Sequence, residues 1–138
     1  MTTMNVTLRS IPDTNAAVGW AGGHTITVDR PVGKAGGQAL GFNGGQLLGL
    51  AIGGCLCNDL HYMAAEMGIT LTSLAVDVDV SFEGKPLLCT GAEVAVAVTA
   101  TDPQADVAEL IRRAAADSTV SNSIARGVTV NVRARSKI

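Results

Sequence analysis

The stretch GGQLLGLAIGGCLCNDLHYMAAEM, residues 44 to 67, constrains the fold of this chain more than any other. Its opening is continuously apolar, and its second half sets Leu60, Met63, Ala64 and Met67 at helical spacing. Gly68 then stands where a left-handed residue closes a helix. The pattern predicts one helix from about 44 to 67 whose first half is buried on all sides. Gly44, Gly45, Gly49, Gly53 and Gly54 each cost roughly 1 kcal/mol against Ala in an exposed helix. Packing against other elements must therefore hold this one together.

The flanking sequence supplies those elements. Val6 and Leu8 alternate with polar neighbours, Pro12-Asp13-Thr14-Asn15 makes a turn, Val18 and Trp20 continue a strand, Gly22-Gly23 breaks it, and Ile26 and Val28 begin another. Residues 31 to 45 hold six Gly and one Pro, which is too permissive a backbone for a regular element, so a flexible connection is expected there. After the helix, Val76, Val78, Val80 and Phe82 alternate with Asp77, Asp79, Ser81 and Glu83, the pattern of a strand with one buried face. Glu83-Gly84-Lys85-Pro86 turns the chain into a second strand with Val94, Val96 and Val98. Asp102-Pro103 reads as the start of a second helix whose inner stripe is Val107, Leu110, Ile111 and Ala114. Val128, Val130 and Val132, alternating with Thr129, Asn131 and Arg133, read as a last strand. The expected class is α+β, in the order β-β-β-α-β-β-α-β, as a single domain over residues 1–138.

Composition narrows the function. The formal charge is −2 and no run of Lys or Arg occurs, so the electrostatic footprint of a nucleic-acid binder is missing. The longest apolar run, Leu47 to Cys57, is about half of the ~20 residues a membrane span requires, and MTTMNVTLRS lacks the pattern of a secretory leader. No membrane partner is expected, and the expected location is cytoplasmic. In that compartment three cysteines, an odd count, point to free thiols rather than to a disulfide framework. With one Trp, one Tyr and two Phe, the core must be built from aliphatic side chains and close backbone approach, and a core so short of large rings favours oligomerisation.

From Val28 to Leu71 the chain resembles the OsmC-like family, which includes the organic hydroperoxide resistance proteins. Gly36-Gly37, Asn43, Leu47-Leu48, Cys55 and the sequence from Ala65 to Leu71 fall in register with that family's glycine loop, helix start, cysteine and helix end. The element order matches over the whole length. The resemblance implies an intertwined homodimer with central helices packed between sheets. It also implies Cys55 as the reactive cysteine, attacking the O–O bond of a peroxide, with an apolar pocket to receive it. In the peroxide-reducing branches a second cysteine lies in a Cys-Pro-x-Ser-Asn-like segment. Here the corresponding segment is Ser118-Thr119-Val120-Ser121-Asn122, and Gly45 replaces a helix-start glutamate.

The individual residues carry their own readings. Thiolate is the nucleophile in such chemistry, and Cys55 lies too deep in its helix for the macrodipole to stabilise one, so a side-chain cation is needed. Arg30, which precedes the glycine loop, is the favoured one; Arg9 and Arg126 are the alternatives. A buried inert thiol is the competing account of Cys55. Cys57 is turned about 200° from Cys55 on a regular helix. Cys57 and His61 share an i, i+4 face, but two ligands are fewer than zinc takes, so a packed thiol beside a histidine is expected and no metal. Cys89 lies off the buried face of its strand, and His24 is an ordinary surface residue. KAGGQALGFNGG fits no nucleotide-binding fingerprint, and no cofactor is implied. Two functions follow: reduction of small hydrophobic peroxides through Cys55 with an external thiol as reductant, or non-catalytic binding of an apolar small molecule at the dimer cleft.

Overall fold

The computed structural model describes residues 1–136. The chain divides into two compact units, one made of Met1–Leu50 with Val80–Gly91, the other of Ala51–Asp79 with the chain from Ala92 onward.

In the first unit, β1 (Thr7–Ser10), β2 (Ala17–Ala21) and β3 (His24–Val28) form an antiparallel sheet in that order. Thr14 closes the first turn, donating from its hydroxyl to Ile11 O at 2.9 Å and accepting from Ala16 N at 3.1 Å. Leu8, Gly19 and Ile26 stand opposite one another across the three strands, and a Cβ on Gly19 would touch Leu8 Cγ at 3.4 Å and Ile26 Cγ1 at 3.5 Å. Both are ordinary van der Waals distances, so this face of the central strand is open beside two aliphatic side chains.

The glycine-rich segment after β3 is irregular, as its composition predicts, yet it is pinned. Asp29, its side chain 1% exposed, accepts from Arg30 N at 2.7 Å on Oδ1 and from Gln38 N and Leu40 N at 3.0 Å on Oδ2. Those bonds, more than the opposing cost of burial, hold its carboxyl below the ordinary range, led by the one from Leu40. Gly37 is obligatory here, because a Cβ would collide with the Pro31 carbonyl and the Arg30 backbone and side chain.

Helix α1 spans Gly44–Met67. Asn43 Oδ1 accepts from Gln46 N at 2.9 Å while Gln46 Oε1 accepts from Asn43 N at 3.0 Å, a reciprocal capping box. Its end is a Schellman motif: Ile69 N donates to Ala64 O at 2.8 Å and Gly68 N to Ala65 O at 3.3 Å, with Gly68 at φ +66°. β4 (Leu71–Glu83) and β5 (Leu88–Ala100) pair as a two-stranded sheet. In the first unit the helix start lies against the tip of this hairpin, with the Cβ site of Gly49 3.3 Å from Val80 Cγ2.

The second unit holds the core. Leu56, Leu60, Met63 and Ala64 of α1 pack with Leu110 and Ala114 of α2 (Val107–Asp117), and Leu74, Val76, Val96 and Val98 close over them from the hairpin. The buried parity of β4 is the one its alternation predicts.

Four features differ from expectation. The first half of α1 is not buried on all sides, since Leu50 is 53% exposed and Gln46, Ala51 and Gly54 are exposed with it. α2 starts at Val107, not after Asp102-Pro103, because Asp106 is the N-cap and accepts from Glu109 N at 3.0 Å. Asp102 spends its carboxylate on Gln104 N, at 2.8 Å, in a turn. A third helix, α3 (Thr119–Arg126), follows Ser118 and was not expected. The predicted last strand is absent among the described residues: Gly127 to Ser136 carries no ladder, and Val128, Val130 and Val132 are 65%, 79% and 92% exposed. An alternating segment becomes a strand only where another backbone offers hydrogen bonds, and no described part of this chain does so.

Candidate functional site

Cys55 lies in the middle of α1, half-buried, and its Sγ donates to Asp59 Oδ2 at 3.5 Å. The spacing explains the contact: i and i+4 share one face of a helix, one turn apart. Asp59 is the only hydrogen-bond partner of this sulfur among the described residues. The site thus brings a thiol and a carboxylate together on one face of the helix.

Arg30 belongs to the first unit, where its Nη2 donates to Asn15 O at 2.6 Å and lies 3.4 Å from Asp29 Oδ1. Its Nε is buried without an acceptor among the described residues. Arg9 donates to Leu8 O at 2.8 Å and lies 6.0 Å above the Trp20 ring, a cation–π distance. Arg126 is an exposed residue in the last turn of α3.

The remaining thiols are free. Cys57 is half-buried, and Cys89 is exposed on β5, with Sγ directed to Gly91 O at 3.7 Å. His61 is exposed, and no cluster of three or more potential metal ligands occurs among the described residues. Ser118 is 1% exposed and its hydroxyl has no partner among those residues, while Asn122 Nδ2 donates to Ser118 O at 2.8 Å.

The first unit also contains an apolar cavity of about 280 Å³, lined mainly by Val6, Leu8, Trp20, Ile26 and Leu47. His24, expected on the ordinary surface, is exposed and sits at its wall. Two residues of consequence escaped the sequence reading. Asp59 was visible in the spacing of CLCND, whereas Asp29 was not, since its donors are backbone groups that carry no side-chain signature.

No helix of the described chain is long and apolar enough to cross a membrane. No curated protein matches the sequence. Among solved structures, an OsmC-like protein from Mycoplasma pneumoniae is similar at 19% identity and TM-score 0.76, over 92% of this chain and 89% of that one. An OsmC-like protein of unknown function from Vibrio cholerae gives 10% identity and TM-score 0.77, over 88% and 93%. An organic hydroperoxide resistance protein from Legionella pneumophila gives 20% identity and TM-score 0.60, over 90% of each chain. Likeness at such identities establishes the fold and not the activity. The family model for OsmC-like protein matches residues 36–133, most of the sequence, and the chain belongs to the OsmC-like family.

Proposed function

We propose that this protein reduces organic hydroperoxides through Cys55. The observation that carries the reading is a half-exposed thiol, in the register of the family's cysteine, whose proton is already directed at a carboxylate. In the reaction, Cys55 sulfur attacks the terminal oxygen of the hydroperoxide, the O–O bond breaks, and the products are a sulfenic acid and an alcohol. An external thiol condenses with the sulfenic acid, releasing water, and a second one releases Cys55 by disulfide exchange. Ser118 stands where a resolving cysteine would be and cannot form that disulfide, which is why the reductant comes from outside. The names of structurally similar proteins from Legionella pneumophila and Elizabethkingia anophelis, both organic hydroperoxide resistance proteins, support the substrate class.

The protein works as a homodimer in the cytoplasm. Support comes from the open side of α1, where Ala51, Gly54, Asn58 and Ala65 are exposed, and from the uncovered valines after α3. His61 and Tyr62, the latter 69% exposed, lie on the same side, so a second copy would cover a face of small and aromatic side chains together.

Peptide-resolved mass spectrometry after one equivalent of cumene hydroperoxide tests the activity. Cys55 should gain one oxygen or an adduct of the added thiol; an unmodified Cys55 at neutral pH rejects it. A second reading, binding of an apolar small molecule without chemistry, is favoured by the 280 Å³ cavity. It loses its support if a panel of lipophilic compounds gives no thermal stabilisation.

A further inference from the structure

We infer that Asp59 is a catalytic residue of this reaction, acting as the proton shuttle between the Cys55 thiol and the departing alkoxide. The inference rests on the peroxide-reducing reading of Cys55 and adds to it the residue that moves the proton.

The chemistry requires such a group. A thiol must lose its proton to attack, and an alkoxide is a poor leaving group unless it gains one as the O–O bond breaks. Asp59 Oδ2 already accepts the Cys55 S–H at 3.5 Å, and Oδ1 has no hydrogen-bond partner among the described residues. Asp59 is half-buried, so it meets both solvent and the helix face that carries the sulfur.

The step balances as follows. The S–H proton passes to the Asp59 carboxylate as the sulfur lone pair forms a bond to the terminal hydroperoxide oxygen. The O–O bond breaks with its electron pair on the inner oxygen, and that alkoxide takes the proton from the Asp59 carboxylic acid. Sulfur is oxidised by two electrons to the sulfenic acid, the peroxide is reduced to the alcohol, and Asp59 returns to its starting state.

A carboxylate beside sulfur is otherwise hard to rationalise for a nucleophile. Its charge opposes the thiolate, so a structural Asp59 would only slow Cys55. The two roles are separated by two reagents. Iodoacetamide consumes thiolate and expels iodide, which needs no proton, whereas a hydroperoxide needs both thiolate and a protonated leaving group.

The experiment compares the intact wild-type chain with Asp59→Asn and Asp59→Glu at pH 7, reading Cys55 separately from Cys57 and Cys89 by peptide mass spectrometry. Asp59→Asn is nearly isosteric and cannot shuttle a proton. Its rate of oxidation by cumene hydroperoxide should fall about 100-fold, the usual scale of general acid–base catalysis, while iodoacetamide alkylation, which needs no proton donor, falls far less. Asp59→Glu should recover part of the oxidation rate. If oxidation and alkylation in Asp59→Asn stay in their wild-type ratio, whether both fall or neither does, the shuttle is refuted. If wild-type Cys55 itself is not oxidised, the parent reading fails instead, and the two failures are distinguishable in one set of spectra.

Discussion

Gly53→Ala sets two effects of known size against each other. Replacing a mid-helix glycine by alanine gains about 1 kcal/mol of helix propensity. At this position, however, the new Cβ would lie 3.1 Å from Val78 Cγ2 and 3.6 Å from Val76 Cγ1, where ordinary contact begins at 3.4 Å. Either α1 must lift from β4 by a few tenths of an ångström or Val78 must leave its rotamer, and overpacking of this kind costs about 1–3 kcal/mol. The net expectation is a loss of about 1 kcal/mol. In a Val78→Ala background the obstructing methyl is gone, the propensity gain survives, and the same substitution should stabilise by about 1 kcal/mol. The coupling across the cycle is therefore about 2 kcal/mol, well above the ~0.5 kcal/mol scatter of independent sites. Urea unfolding followed by far-UV circular dichroism, at one fixed protein concentration and with m-values compared, measures it. Stabilisation by Gly53→Ala in the wild-type background, or coupling within that scatter, would show that close approach of helix and sheet does not dictate this glycine.

Two further outcomes follow from the structure. Asp29 has its folded carboxyl below its ordinary 3.8, so the stability it contributes is complete above that pH and is lost as pH falls through the folded value. Asp29→Asn should thus lower stability at pH 7 and flatten its decline below pH 3.8; equal pH slopes for the two proteins in acid-titrated thermal melts would contradict this. Glu109, held at about 2 by Arg112 and Arg113, adds a decline between 4.5 and about 2 in both proteins that salt should shrink, since the group is on the surface. For assembly, Val130→Asp should shift a dimer toward monomer in sedimentation velocity, and a wild-type chain that is monomeric at micromolar concentration removes the homodimer.

The elements that were legible in the sequence are those whose signals are local. α1 begins and ends where its apolar run, Asn43 and Gly68 say it should, since cap and Schellman geometry are written in adjacent residues. The start of α2 was misplaced because two aspartates competed for one cap. Asp102-Pro103 looks like an N-cap and N1 pair, but Asp106 precedes Glu109 by three residues and binds its amide. α3 escaped because TVSNSIAR mixes β-branched, polar and small residues and buries none of them. Around Cys55, the i, i+4 spacing that sets Asp59 against the sulfur is written in CLCND itself, whereas no neighbouring residue in that run carries a guanidinium. Asp29 shows the opposite limit: the groups it binds are the amides of Arg30, Gln38 and Leu40, and any residue but proline could have donated them.

The segment after Gly127 shows what alternation encodes. Val128, Val130 and Val132 specify a face, one side apolar and the other carrying Thr129, Asn131 and Arg133, and they do so whether or not a ladder exists. A ladder is a property of two backbones. A chain that spends three β-branched residues on one face gains nothing by leaving them 65–92% exposed, because apolar side chains repay their cost only when water is removed from them. Under the homodimer proposal, the surface that covers this face and the edge that pairs with it belong to a second copy of the chain. Those uncovered valines, together with the exposed side of α1, are the physical content of the homodimer proposal. It places the test in solution, on association, rather than in any further reading of one protomer.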